Sequence, residues 1–127
     1  MASFRVLVVD DFEPWRNYLR SVLRERPRLE LAGEAADGFE AVQKAEELQP
    51  DLILMDIAMP RLNGIEAAKC IREIAPNSKI LFLSVEPSDE FEKAALAAGG
   101  QGYIVKTEVR SKLLPALDRL FLHGNSS

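Results

Sequence analysis

The sequence predicts an α/β domain: an open, doubly wound sheet of five parallel strands with helices on both faces. Three observations lead there. Residues 6–9, 52–55 and 80–83 are uninterrupted apolar runs rather than alternating ones, as strands buried on both faces require. Segments of helical period separate the runs. A chain of 127 residues holds one domain of ordinary size, and an eight-stranded βα barrel needs about twice that length, so the βα alternation must form an open sheet.

Taken in order, the first strand is "VLVV", 6–9, and it ends in Asp10 and Asp11. The helix after it places Phe12, Trp15, Leu19, Val22 and Leu23 on one face; Pro14 is tolerated in its first turn, and "RPR" at 26–28 stops it. "LELAGEA", 29–35, is the second strand, followed by a helix with Ala41, Val42, Ala45 and Leu48 inward and "LQP" at its end. The third strand, 52–55, ends at Asp56, and Ile65, Ala68, Ile71 and Ile74 mark the third helix. The fourth strand, 80–83, ends at Ser84; Phe91, Ala94, Ala95 and Ala98 form the next stripe, closed by the glycine-rich "AGG" at 98–100. "GYIV", 102–105, is the fifth strand and ends at Lys106, with Val109, Leu113, Leu117, Leu120 and Phe121 on the last helix. One domain is expected over 1–127, its core at 3–122, with residues 123–127 a flexible tail or the start of a linker.

Composition narrows the function classes. With 47% hydrophobic and 28% charged residues the chain has the balance of a soluble globular domain rather than a disordered or membrane one. No apolar run approaches the roughly 18 residues of a membrane span, and "MASFRVLVVDD" reaches acidic residues too soon for a secretory signal, so a cytoplasmic location is expected. Cys70 is the single cysteine and His123 the single histidine, which excludes an internal disulfide and a Cys/His zinc site. A net charge of −4 gives no general attraction to nucleic acid or to an anionic membrane, and the arginines of "RSVLRERPR", 20–28, read as a solvated helix face and turn.

In an open α/β sheet, ligands bind beyond the carboxyl ends of the strands. Four of the five ends carry a polar group there: Asp10 and Asp11, Asp56, Ser84, and Lys106. If the strand order is 2-1-3-4-5, strands one and three are neighbours and three carboxylates converge. Two carboxylates about 4 Å apart repel by roughly 4 kcal/mol at an effective dielectric near 20, so the group needs a proton or a cation. An all-oxygen donor set suits a hard divalent ion, Mg²⁺ (or Mn²⁺), which keeps positions open for a phosphoryl oxygen. Lys106 and Ser84 can hold the other phosphoryl oxygens, and a carboxylate can accept the group as an acyl phosphate.

The phrases "VLVVDD", "DLILMDIAMPRLNGIEA", "ILFLS" and "AGGQGYIVK" resemble the receiver domain of a two-component response regulator of the CheY-like superfamily over nearly the whole chain. Met59, Pro60, Asn63 and Gly64, in register with Asp56, are the most specific part. The resemblance implies the flavodoxin-like order 2-1-3-4-5. It also implies Asp56 as phosphoacceptor, Asp11 and the Ala58 backbone carbonyl as Mg²⁺ ligands beside it, and Asp10 as a contact through water. Lys106 would contact the phosphoryl group, with Ser84 and Tyr103 as the switch pair that alters the face of helix four, strand five and helix five. The implied donor is a sensor histidine kinase or a small acyl phosphate, and homodimerisation on phosphorylation would follow. Beyond self-catalysed phosphorylation and slow hydrolysis, no enzyme activity is expected. "LSVEPSDEFEKAALAAGGQGYIVK" is most similar to receivers that precede a NarL/FixJ-type helix-turn-helix, so DNA would be bound only through such an output domain. The alternative is a stand-alone receiver or phosphorelay intermediate acting by protein contact.

Some residues depart from the family pattern. Thr107 stands where proline usually follows the lysine, and a non-proline cis bond costs about 2.5 to 4 kcal/mol, so a trans bond is expected. Val85 replaces a small residue and narrows access to Asp56, while Glu86 is expected to point into solvent. Two other readings share parts of the pattern. A flavodoxin-like electron carrier needs phosphate-binding donors after strand one, where "DDFEP" offers carboxylates, and a haloacid-dehalogenase-type phosphatase carries D-x-D there rather than adjacent acids.

Overall fold

The computed structural model describes residues 3–122; the expected tail, 123–127, lies outside them. Strands β1 (Phe4–Val9), β2 (Leu29–Ala35), β3 (Leu52–Asp56), β4 (Lys79–Ser84) and β5 (Gly102–Val105) pair in parallel in the order β2-β1-β3-β4-β5. Between and after them run α1 (Glu13–Leu23), α2 (Gly38–Leu48), α3 (Gly64–Ile74), α4 (Asp89–Ala97) and α5 (Val109–Leu117). All ten expected elements are present, and the strand order is the expected one.

The uninterrupted apolar runs have a direct cause. Successive strand residues point to opposite faces, and here both faces are covered. Leu7, Val9, Ile53, Met55, Ile80 and Phe82 pack with Ala41, Ala45, Ala68, Ile71 and Ala95 of α2, α3 and α4. Val6, Val8, Leu52, Leu54, Leu81 and Leu83 pack with Leu19, Leu23, Leu113 and Leu117 of α1 and α5. Burying each large apolar side chain is worth about 1.5 to 3 kcal/mol, and every residue of β3 is buried, so the central strand is the hardest element to displace. Among the described residues no helix is long and apolar enough to cross a membrane.

The helix ends follow their sequence signals. Pro14 lies in the first turn of α1, Gln49 closes α2 in the left-handed region at φ 45° just before Pro50, and Gly99 turns the chain after α4 at φ 100°.

In four places the structure corrects the expected faces. Phe12 precedes α1 and is 61% exposed, and Phe91, in the first turn of α4, is 42% exposed. Both stand where the helix has only begun to descend onto the sheet, so the apolar stripe does not yet meet it. The last helix changes form: α5 ends at Leu117 and Asp118–Leu122 winds as a π-helix that carries Leu120 and Phe121. Pro115, inside α5, has no N–H to offer the carbonyl one turn earlier, so the helix lacks one bond shortly before the π segment begins. The arginine cluster is not simply solvated, since Arg20 pairs with Glu34, and Arg26 with Asp118 at 3.0 Å.

Candidate functional site

Asp56 is the last residue of β3 and only 5% exposed. The turn behind it explains the "MPRLNG" sequence. Arg61 takes a left-handed conformation, φ 69°, and Asn63 caps α3 by accepting the Glu66 N–H at 2.9 Å. The Gly64 N–H donates to the Ile57 carbonyl at 2.8 Å. A Cβ on Gly64 would sit 2.1 Å from the Asp56 carbonyl oxygen, so only glycine lets α3 start this close to the end of β3.

β1 is the neighbour of β3, and it brings Asp10 and Asp11 alongside. One carboxylate oxygen from each of Asp10, Asp11 and Asp56 lies within 4.8 Å of the others. Asp10 is buried and Asp11 exposed, so the cluster opens to solvent on one side. Lys106, at the end of β5, reaches across and donates to Asp10 Oδ2 at 2.5 Å, with Asp56 Oδ2 at 3.7 Å. Its stronger partner is thus Asp10. The other Asp10 oxygen accepts the Phe12 N–H at 2.8 Å, which fixes the carboxylate.

Three carboxylates against one ammonium leave the site anionic. Burial pushes the Asp56 carboxyl from its ordinary 3.8 up to about 6; Lys106 pulls against this, and the charges of Asp10 and Asp11 reinforce it. A divalent cation would relieve that repulsion. The donors are all oxygens and mutually close, so the residues present fit a hard ion of the Mg²⁺ type.

Ser84 ends β4 and is 5% exposed; its hydroxyl donates to the Glu86 carbonyl at 3.2 Å. The Tyr103 hydroxyl donates to the same oxygen at 2.8 Å, so the two hydroxyls share one acceptor. Glu86 itself is exposed, as expected for its side chain, and Val85, next to Ser84, is 64% exposed. Ala58 is exposed in the loop two residues past Asp56. No described peptide bond is cis, so the Lys106–Thr107 bond is trans as expected, and Lys106–Glu108 forms a 3-10 turn.

The structure thus gathers Asp10, Asp11, Asp56 and Lys106 into one cluster. Ser84 and Tyr103 come from the next two strands and meet through the Glu86 carbonyl. Three participants were not singled out from the sequence. The Glu86 carbonyl is a backbone atom and leaves no side-chain signature. Arg16 donates to the Asp10 carbonyl at 2.5 Å and to Glu34 at 2.9 Å, tying α1 and β2 to the site. The Trp15 ring lies under Lys106, with Nζ 5.0 Å from its centroid. The available signal was position: α1 starts right after Asp11, so its first turn must border the rim.

Comparison with known proteins agrees with this geometry. The family model "Response regulator receiver domain" matches residues 6–118. The chemotaxis protein CheY of Thermotoga maritima is 41% identical over 116 residues, 91% of this chain and 96% of that one. The transcriptional regulatory protein YxjL of Bacillus subtilis is 37% identical over 115 residues, 91% of this chain but 53% of its own length. A chain of the CheX-CheY-BeF3-Mg²⁺ complex from Borrelia burgdorferi superposes with a TM-score of 0.87 at 30% identity, covering 94% of this chain and 90% of that one.

Proposed function

The chain belongs to the response regulator receiver domain family, and from that premise we propose that Asp56 accepts a phosphoryl group from a sensor histidine kinase in the cytoplasm. The observation that carries this reading is the cluster itself: a buried carboxylate on a rigid central strand, two more carboxylates within 4.8 Å, and an ammonium 3.7 Å away. Asp11, Asp56 and the Ala58 carbonyl would hold Mg²⁺ (or Mn²⁺), with Asp10 in contact through water. The chemistry supplied by the ion when bound is charge neutralisation at the phosphoryl oxygens.

The chain's own residues do the rest. An Asp56 oxygen attacks phosphorus, the P–N bond to the kinase imidazole breaks, and its electron pair leaves with the imidazole, which takes up a proton. Even in the metal-free site the attacking carboxyl is mostly ionised above about pH 6. Lys106 turns from Asp10 toward a phosphoryl oxygen, giving the new charge a partner. The Ser84 hydroxyl exchanges the Glu86 carbonyl for another phosphoryl oxygen, leaving that carbonyl to Tyr103. Phosphorylation adds about 1.5 to 2 negative charges, and this exchange couples them to β5 and the adjoining surfaces of α4 and α5. That face is the output surface. Self-phosphorylation and slow hydrolysis are the only catalysis in this reading.

The similarity to YxjL, a transcriptional regulatory protein of which this chain covers 53%, supports control of transcription, for which a helix-turn-helix output domain is the proposed means. The 41% identity to CheY, a chemotaxis protein, favours a second reading, a stand-alone receiver or relay intermediate acting by contact. A reading frame continuing past Ser127 into a helix-turn-helix would decide between them. The central assignment is tested by Mg²⁺-dependent phosphorylation followed by intact mass. The native chain gains one phosphoryl group and Asp56→Asn gains none; equal incorporation into both would overturn the assignment.

A further inference from the structure

We propose that Trp15 is a positioning residue for Lys106: its indole face holds the ammonium at the rim, between Asp10 and Asp56. The inference rests on Lys106 being the group that meets the phosphoryl oxygens.

Lys106 is a long, flexible side chain on a soft base. It begins a 3-10 turn, and the next two residues, Thr107 and Glu108, are exposed, so its backbone alone does not aim the ammonium. The side chain is nonetheless only 14% exposed. Its tip is held from two sides, by the carboxylates of Asp10 and Asp56 at 2.5 and 3.7 Å and by the Trp15 ring at 5.0 Å. An ammonium within about 6 Å of an indole centroid is attracted by the ring's quadrupole, more strongly when water is kept away.

The indole is not placed for its own hydrogen bond. Trp15 Nε1 is buried without a hydrogen-bond partner among the described residues, a state that disfavours tryptophan over a purely apolar side chain. The benefit of the ring is therefore in its face. The indole packs with Tyr18, centroids 5.2 Å apart, and against the apolar cluster that covers one face of the sheet, so the ring that meets Lys106 is braced. This contact differs in kind from the carboxylate contacts. When the ammonium swings from Asp10 to a phosphoryl oxygen the ring remains its neighbour, so the swing is a pivot and not a release.

Trp15 is the only tryptophan in the chain, so incorporating fluorinated tryptophan alters this ring alone and keeps its shape. Mono- and trifluorination drain the ring quadrupole in steps. The maximal rate of Mg²⁺-dependent phosphorylation by phosphoramidate should fall stepwise, while the donor concentration for half-maximal rate stays within about twofold. Trp15→Leu should lower that rate between about threefold and thirtyfold, the range of a partly desolvated cation–π contact, and Trp15→Phe should restore most of it. In the Lys106→Met background, Trp15→Leu should have no further effect.

A second readout needs neither metal nor donor. In the metal-free protein the Lys106 CεH₂ protons should be shifted upfield by the ring, a shift kept in Trp15→Phe and lost in Trp15→Leu. Unchanged rates across the fluorinated series, or an equal loss from Trp15→Leu with and without Lys106, would overturn the proposal. If no variant, native included, takes up phosphate while the ring shift follows Trp15, the positioning stands and the phosphoacceptor reading fails.

Discussion

Replacing Asp56 by asparagine should make the metal-free fold more stable at neutral pH. Burial and the neighbouring carboxylates raise the folded-state carboxyl to about 6, against 3.8 for an unperturbed aspartate. Between those values the folded chain binds more protons than the unfolded one, so stability falls as pH rises from about 4 to 6 and then levels off. A difference of about two pH units corresponds to about 3 kcal/mol of destabilisation once Asp56 is fully ionised. Asparagine carries no charge and escapes it. Urea denaturation in EDTA, run from pH 3.5 to 8, should show Asp56→Asn more stable than the native chain by up to about 3 kcal/mol at pH 7.5, with the gap closing near pH 4. For a chain of this length the gain is roughly 10 °C in Tm. Mg²⁺ at a hundred times its Kd should then add about 2.7 kcal/mol to the native chain and clearly less to the variant. A native chain as stable as the variant at pH 7.5 in EDTA, or a gap independent of pH, would refute the reasoning that the site is electrostatically strained.

Lys106→Met strips the buried Asp10 carboxylate of its ammonium and should destabilise the fold by about 3 kcal/mol in urea melts, with Asp10→Asn in the same chain recovering most of it. Gly64→Ala sets a methyl against the Asp56 carbonyl and should cost about 1 to 3 kcal/mol while lowering Mg²⁺ affinity, read by calorimetry, because the start of α3 must back away from the site. Val85→Ala, which trims the side chain next to Ser84 without touching the cluster, should speed phosphorylation by acetyl phosphate, and an unchanged rate by intact mass would remove Val85 from the access path.

The sites legible in the sequence were those that end an element. A strand buried on both faces must be apolar, so a charge where it ends is visible against that background, and this exposes Asp10 and Asp56, while Lys106 follows the shorter, half-buried edge strand β5. Helical period marks faces equally well, yet it does not say where a helix first meets the sheet, which is why Phe12 and Phe91 were expected inside and are found outside. Nor does periodicity register a change of winding: the stripe through Leu120 and Phe121 reads as continuous helix, while the chain from Asp118 to Leu122 winds as a π-helix.

By itself the sequence determined the five βα units, the sheet they must form and the rim on which the charges gather, because burial and period act along neighbouring residues. Only the tertiary structure decided that Lys106 pairs more closely with Asp10 than with Asp56, across 96 positions of chain. It also decided that Ser84 and Tyr103 meet on a backbone carbonyl, and that Trp15 lies beneath the ammonium. Those choices are settled by differences of an ångström or so between side chains from different strands. Coulomb attraction and desolvation change steeply over such distances, and nothing local to the chain records them.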